Sequence, residues 1–314
     1  MGSHPHEVNG GYSIGGGSVK AAHASQHGDT APMTSRSPSG RPHSGAKPDA
    51  KPGATREQVE RRERFTRARR ESLRPDADGP AVLYGWHTVT AALKNPARRL
   101  RRLLATENAA RRLAEEGIVA AIAPEIVRPS AIAERLLPDA VHQGLYLEAD
   151  SLPSPAIEDL PGEGTVLVLD QITDPHNVGA IFRSAAAFAA AAIVTTQRHS
   201  PEATGALAKA ASGALEHVPL VSVQNLARAL AALKHNGFLV VGLDGGGDVD
   251  FADLPLRAPL ALVLGAEGKG LRQLTKETCD AIARIALPGE IKSLNVSNAA
   301  ALGLYLASRK LQGL

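Results

Sequence analysis

The sequence predicts an α/β protein: a main domain built on a parallel sheet covered by helices, preceded by a smaller α/β domain and a basic N-terminal tail. Three observations predict it. Beyond residue 164, short runs that are apolar throughout alternate with helical patterns, as buried parallel strands and their covering helices do. Residues 79–150 mix short apolar runs with amphipathic stretches in a compact unit, and residues 1–78 show almost no apolar periodicity.

The tail carries the positive charge. Residues 1–78 hold thirteen Lys/Arg against nine Asp/Glu, a net of +4, whereas the whole chain of 314 residues carries only +3. Gly, Ser, Pro, Ala and His dominate it, so it is expected to be disordered, because it cannot bury enough surface to offset the entropy of ordering. Its end, "REQVERRERFTRARRESLR", is expected to form a short basic helix. His4, His6, His23, His27 and His43 are scattered along it, and a flexible tail is a better reading of them than a metal site.

In the small domain, "RRLLATE", "GIVAAIA" and "GLYLEA" read as strands, with "HTVTAALKN", "NAARRLAEE" and "PSAIAERLLP" as helices. The run "ARRLRRL" is either an RNA-facing patch or a solvated surface. A Pro/Gly linker, residues 151–163, then leads to the main domain, residues 164–314. There "TVLVLD", "AIVTT", "PLVSV", "FLVVGLD", "LALVLG" and "IARIALP" read as strands. Helices are expected from Val178 to Ala191 and over "EATGALAKAASGAL", "NLARALAALKHN", "LRQLTKETCDA" and "NAAALGLYLASRKL". Ligands of such sheets bind at the carboxyl ends of the strands.

No apolar run reaches the roughly 18 residues needed to span a bilayer, and no charged-then-apolar leader opens the chain, so a cytoplasmic protein without a membrane partner is expected. With Cys279 alone, a disulfide framework and a Cys-based zinc site are excluded, and a packed, inert thiol is expected.

Three strand-end loops, in "DPHNVGAIFR", "GAEGKGL" and "LPGEIKSLNVSNAAALGLY", carry nearly all the unusual residues. "GAEGKGL", from Gly265, is neither a P-loop nor a dinucleotide fingerprint, since Lys269 is followed by Gly and the glycines stand at 265, 268 and 270. "DGGGDVD" is a Gly/Asp turn whose residue order does not match a calcium loop. Glycines after buried strands let a ligand approach the backbone, which suggests an adenosine-sized pocket, with a plain tight turn as the alternative. "LPGEIKSLNVSNAAALGLY" places Ser293, Asn295, Ser297 and Asn298 at the start of an Ala-rich helix, where one or two would suffice for capping and four suggest a polar surface for a ligand. In "DPHNVGAIFR", Asn177 reads as an N-cap after Pro175, with Val178, Ile181, Phe182, Ala185, Ala186 and Ala189 as the core face. Arg183 lies beside that face and is expected to lean back towards the strand-end rim, to bind a ligand or to pair with a carboxylate.

"DPHNVGAIFRSAAAF", "LVLGAEGKGL" and "IALPGEIKSLNVSNAAALGLYL" resemble the three motifs of the SpoU-type (TrmH-like) RNA 2′-O-ribose methyltransferases of the SPOUT superfamily, in order and across residues 164–314. "LYGWHTVTAAL" and "VHQGLYLEA" are similar to the ends of the small RNA-binding domain in the subgroup that methylates a guanosine of 23S ribosomal RNA. The resemblance implies a C-terminal trefoil knot that holds S-adenosylmethionine, a two-fold homodimer through the last helix and the motif-one helix, and an RNA partner. It also implies cofactor contacts around Gly265, Ile285, Leu287, Ser293 and Leu294, and catalytic roles for Asn177, Arg183, Glu267, Ser293 and Asn295. Asn298, where many members carry Val, and Lys292, outside the motifs, are departures. An arginine is a poor base, with a pKa above about 12. Arg183 is therefore expected to grip an RNA phosphate and polarise the ribose hydroxyl. A transfer-RNA methyltransferase and a non-catalytic RNA-binding assembly factor remain open as alternatives, the latter opposed by the intact motif residues.

Overall fold

A computed structural model describes residues 79–198 and 200–313; the expectations for the tail and its histidines lie outside them. The small domain is a four-stranded sheet in the order β1-β4-β2-β3, from β1 (Ala81–Tyr84), β2 (Leu100–Ala105), β3 (Glu125–Ile126) and β4 (Leu145–Ala149). It carries α1 (Trp86–Lys94), α2 (Glu107–Glu115) and α3 (Pro129–Ala133). The strand expected over residues 117–123 does not form. Its alternation is real, since Ile118 is buried and Ala120 and Ile122 half-buried, but the backbone finds no ladder until Glu125, where β3 pairs with β2. Burial alone can produce the period of a strand.

The main domain is a seven-stranded sheet, every pair parallel, in the order β7-β6-β5-β10-β8-β11-β9. Its strands are β5 (Thr165–Asp170), β6 (Ala192–Thr196), β7 (Leu220–Val223), β8 (Leu239–Leu243), β9 (Val249–Asp250), β10 (Leu260–Gly265) and β11 (Ala281–Arg284). Central β5 and β10 bury nearly every residue, as runs without polar alternation should. The helices are α4 (Pro175–Ala187), α5 (Gly205–Ala211), α6 (Leu226–His235), α7 (Gln273–Thr278) and α8 (Val296–Gln312). Among the described residues no helix is long and apolar enough to cross a membrane.

Helix α4 departs from expectation at both ends. Asp174, not Asn177, is its N-cap, its Oδ1 accepting from the His176 amide at 3.0 Å with Pro175 in the first turn. Asn177 is thereby released for other contacts. At the far end the helix stops at Ala187, and Ala189, expected on the core face, is exposed with φ 50°. Gly179 is required by packing: a Cβ there would lie 2.4 Å from the Ala210 Cβ and 2.8 Å from its carbonyl carbon, so α4 and α5 touch backbone to backbone.

The segment expected to be a plain linker is built into the main domain. Ile157 and Leu160 are buried in the cluster that includes Val166, Leu226 and Leu230. The two sheets belong to one compact unit, and polar contacts join them. Val82 and Thr204 exchange hydrogen bonds of 2.7 and 2.9 Å, and the Thr88 hydroxyl donates to the Ala208 carbonyl at 3.2 Å. Arg98 grips Glu216 through Nε at 3.2 Å and a second nitrogen at 2.5 Å, with side chains only 2% and 3% exposed, and its remaining nitrogen donates to the Asp150 carbonyl at 2.9 Å. Breaking a buried pair by removing one partner costs roughly 3–5 kcal/mol, because the other charge is left without a partner. Glu216→Ala is thus expected to lower the denaturant midpoint sharply, and Arg98→Met combined with Glu216→Leu to recover much of that loss; chemical denaturation of the three proteins checks this.

Candidate active site

The loops that carry Asn177, Glu267 and Asn295 follow β5, β10 and β11 and meet at the carboxyl ends of the strands. Glu267, from the loop after β10, is the hub: its Oε1 accepts from Asn177 Nδ2 at 3.0 Å, from Asn295 Nδ2 at 2.6 Å and from the Val296 amide at 3.2 Å. Asn295 Nδ2 also donates to Asn177 Oδ1 at 3.0 Å. Asn295 is the N-cap of α8, its Oδ1 accepting from the Ser297 amide at 2.9 Å and from the Ser297 hydroxyl at 2.5 Å. The carboxylate of Glu267 thus lies at the positive end of α8, where a negative charge is favoured.

Beside this rim lies a cleft of about 300 Å³, at the lower end of the range for small-molecule pockets. Gly265, Ile285, Leu287, Ser293 and Leu294 all line it, together with Glu267. Gly265 cannot be replaced, since a Cβ there would stand 2.2 Å from the carbonyl carbon of Gly270. Lys292 also lines the cleft, and its Nζ donates to the Leu287 carbonyl at 2.8 Å.

Not every expected residue joins this arrangement. Ser293 lines the cleft but is exposed and makes no hydrogen bond among the described residues, and Asn298 is exposed. Arg183 neither lines the cleft nor pairs with a carboxylate; it is exposed on α4, and its side chain makes no hydrogen bond or ion pair among the described residues. Cys279 is half-buried, its Sγ donating to the Thr275 carbonyl at 3.2 Å, and burial pushes its thiol up to about 12. It is unreactive.

Two acids were not singled out by sequence. Asp244 opens the turn read as "DGGGDVD", and with Gly245 and Gly246 it forms one wall of the cleft. Burial would raise its pKa, but the hydrogen bonds from Lys276, at 2.9 Å, and from the amides of Gly246 and Leu271 outweigh that and hold it below the usual carboxylate range. Asp170, the last residue of β5, is fully buried and accepts from the Arg272 side chain at 2.7 Å and the Arg272 amide at 3.1 Å. The available signal was an acid ending an otherwise apolar strand, in "TVLVLD" and "VVGLD".

Residues 164–305 match the SpoU rRNA Methylase family, and residues 82–155 match the RNA 2′-O ribose methyltransferase substrate binding family. The 23S rRNA (guanosine-2′-O-)-methyltransferase RlmB of Ralstonia nicotianae is 38% identical over 237 residues, which span 73% of this chain and 95% of that protein. The chain belongs to the SpoU rRNA methylase family. The RlmB protein of Pseudomonas putida is 36% identical over 241 residues, covering 73% of this chain and 96% of its own length. In fold, the chain resembles the SpoU methyltransferase AviRb of Streptomyces viridochromogenes, solved in complex with AdoMet. The TM-score is 0.65 at 23% identity, over 76% of this chain and 95% of that one.

Within a SpoU site, Glu267→Ala would leave two side-chain amides and the Val296 amide without their shared acceptor. A misplacement of about 1 Å is sufficient to slow an oriented reaction on the order of 10²-fold. Methylation by Glu267→Ala is expected to fall by that order, and Glu267→Gln, which keeps a weaker acceptor, to lie between it and the wild type; initial rates on the same RNA measure this.

Proposed function

We propose that the protein transfers a methyl group from S-adenosylmethionine to the 2′-oxygen of a guanosine ribose in 23S ribosomal RNA, in the cytoplasm. The observation that carries the reading is the convergence of Asn177, Glu267 and Asn295, from three distant segments, on the rim of a cleft lined by the loops after β8, β10 and β11. The RlmB relatives, matched over nearly their whole length, support the substrate.

The residues present fit the cofactor. Leu243, Leu264, Ile285 and Leu294 offer apolar walls suited to an adenine ring, while Lys269 and Lys292 at the rim suit a carboxylate. When bound, S-adenosylmethionine supplies an electrophilic methyl group on a sulfonium. The chain holds the acceptor ribose in line and assists loss of its proton, and neither task requires a metal. Asn177 and Asn295, fixed by Glu267, orient polar groups at the rim, and Ser293 offers a hydroxyl within the cleft. Arg183, unpaired and exposed on α4, is free to take an RNA phosphate and polarise the hydroxyl, the proton leaving to a phosphate oxygen or water.

In this reading the small domain of residues 79–150 grips the RNA, the chain around β11 and α8 forms a trefoil knot about the cofactor, and the basic tail of residues 1–78 adds non-specific affinity. The active form is a homodimer through α4 and α8. Leu302 and Tyr305 are 41% and 49% exposed on α8, and Phe188, just past α4, meets Tyr305 edge to face at 6.5 Å. Leu304, the neighbour of Tyr305 in the helix, is 1% exposed within its own core and is not part of this surface.

Mapping 2′-O-methyl groups in a strain lacking the protein is expected to show loss at one guanosine of 23S rRNA; loss in a transfer RNA alone would redirect the substrate. Arg183→Ala is expected to cut methylation by orders of magnitude while calorimetric S-adenosylmethionine affinity stays close to wild type. Tyr305→Glu should give monomers of low activity by light scattering.

A further inference from the structure

We propose that Asp170 and Asp244 are positioning residues: a pair of carboxylates that clamps the base of the Glu267 loop between its two neighbouring strands. The inference rests on reading the adjacent cleft as the S-adenosylmethionine site. The loop from Ala266 to Gly270 is closed on itself, with the Gly270 amide donating to the Ala266 carbonyl at 2.8 Å. Its chain then leaves through two consecutive amides, and each is received by a different acid. The Leu271 amide donates to Asp244 Oδ2 at 3.2 Å, and the Arg272 amide to Asp170 Oδ2 at 3.1 Å.

These acids come from opposite sides. β10, which leads into the loop, lies between β5 and β8 in the sheet; Asp170 ends β5 and Asp244 follows β8. Each acid is held by a cation from the segment just beyond the loop, Arg272 for Asp170 and Lys276 for Asp244. Gly270 leaves room for the second contact, since a Cβ there would lie 2.5 Å from Asp244 Oδ2. Asp170 is fully buried and Asp244 half-buried, and a shift of either acid would break its ion pair.

The two halves of the clamp serve different sides of the site. β5 runs on into α4, which carries Asn177, so Asp170 fixes Glu267 relative to the polar rim. Asp244 begins the Gly245–Gly246 wall, so it fixes the loop relative to the cofactor cleft. Loss of Asp244 should therefore act on cofactor affinity, and loss of Asp170 on turnover.

The test uses the full chain with Asp244→Asn and Asp170→Asn, joined by Lys276→Gln and Arg272→Gln, which disturb the same contacts from exposed or half-exposed positions. Charge-assisted hydrogen bonds to a buried group make a loss on the order of tenfold the expected scale. Calorimetry should show S-adenosylmethionine bound about tenfold more weakly by Asp244→Asn and Lys276→Gln, with KM for it raised and kcat little changed. Asp170→Asn and Arg272→Gln should lower kcat at near-normal cofactor affinity. In the protein without cofactor, amide exchange at residues 266–272 should accelerate in all four while β5 and β10 remain protected. Unchanged loop exchange, or a uniform loss of stability without the split between affinity and turnover, overturns the clamp. A wild-type chain that binds no S-adenosylmethionine overturns the reading of the cleft instead, and the exchange data then judge the clamp alone.

Discussion

One carboxylate oxygen, Glu267 Oε1, holds the site together. It receives donors from residues 90 and 28 positions away in the chain, together with the first amide of α8. A single acceptor shared in this way ties three separate loops into one surface; Glu267 and Asn295 are exposed, so water can replace the side-chain contacts, and the buried Val296 amide is the donor that loses most if the carboxylate moves. The parallel sheet makes this possible: strands running in one direction bring all their trailing loops to the same edge, so the loops after β5, β10 and β11 can meet although β8 lies between β10 and β11. The site is a product of topology first and side-chain chemistry second.

Much of this was legible in the sequence. Runs such as "TVLVLD" and "LALVLG" are apolar on both faces and leave a buried parallel strand as the natural solution, which is what β5 and β10 are. The glycines and clustered Asn and Ser residues were visible as anomalies at strand ends, and Asn177, Glu267 and Asn295 do meet. Less legible were residues whose function depends on partners distant in sequence. Asp170 and Asp244 look like ordinary strand-end acids until Arg272 and Lys276 are brought beside them.

The departures have the same origin. Asn177 suits an N-cap by residue type, but Asp174 stands one residue before Pro175 and takes that role, which frees the Asn amide for Glu267. Gly179 has no signature in the sequence of its packing role against Ala210. Leu304 and Tyr305 are adjacent in an apolar helix, yet one faces the sheet and the other solvent, a distinction that needs the phase of α8 relative to the sheet. Residues 117–123 show the reverse case, where alternating burial arises without a strand partner.

The pair of Arg98 and Glu216 also bears on the order in which the chain matures on the ribosome. The two are 118 residues apart, so the small domain emerges long before the acid that neutralises its buried guanidinium. Until the segment beyond α5 is synthesised, that face of the nascent domain carries an uncompensated positive charge and must remain hydrated. Its final docking is therefore a late event in synthesis: translation must pass β6 and α5 before the two sheets close on each other, even though the small domain comes first in the chain.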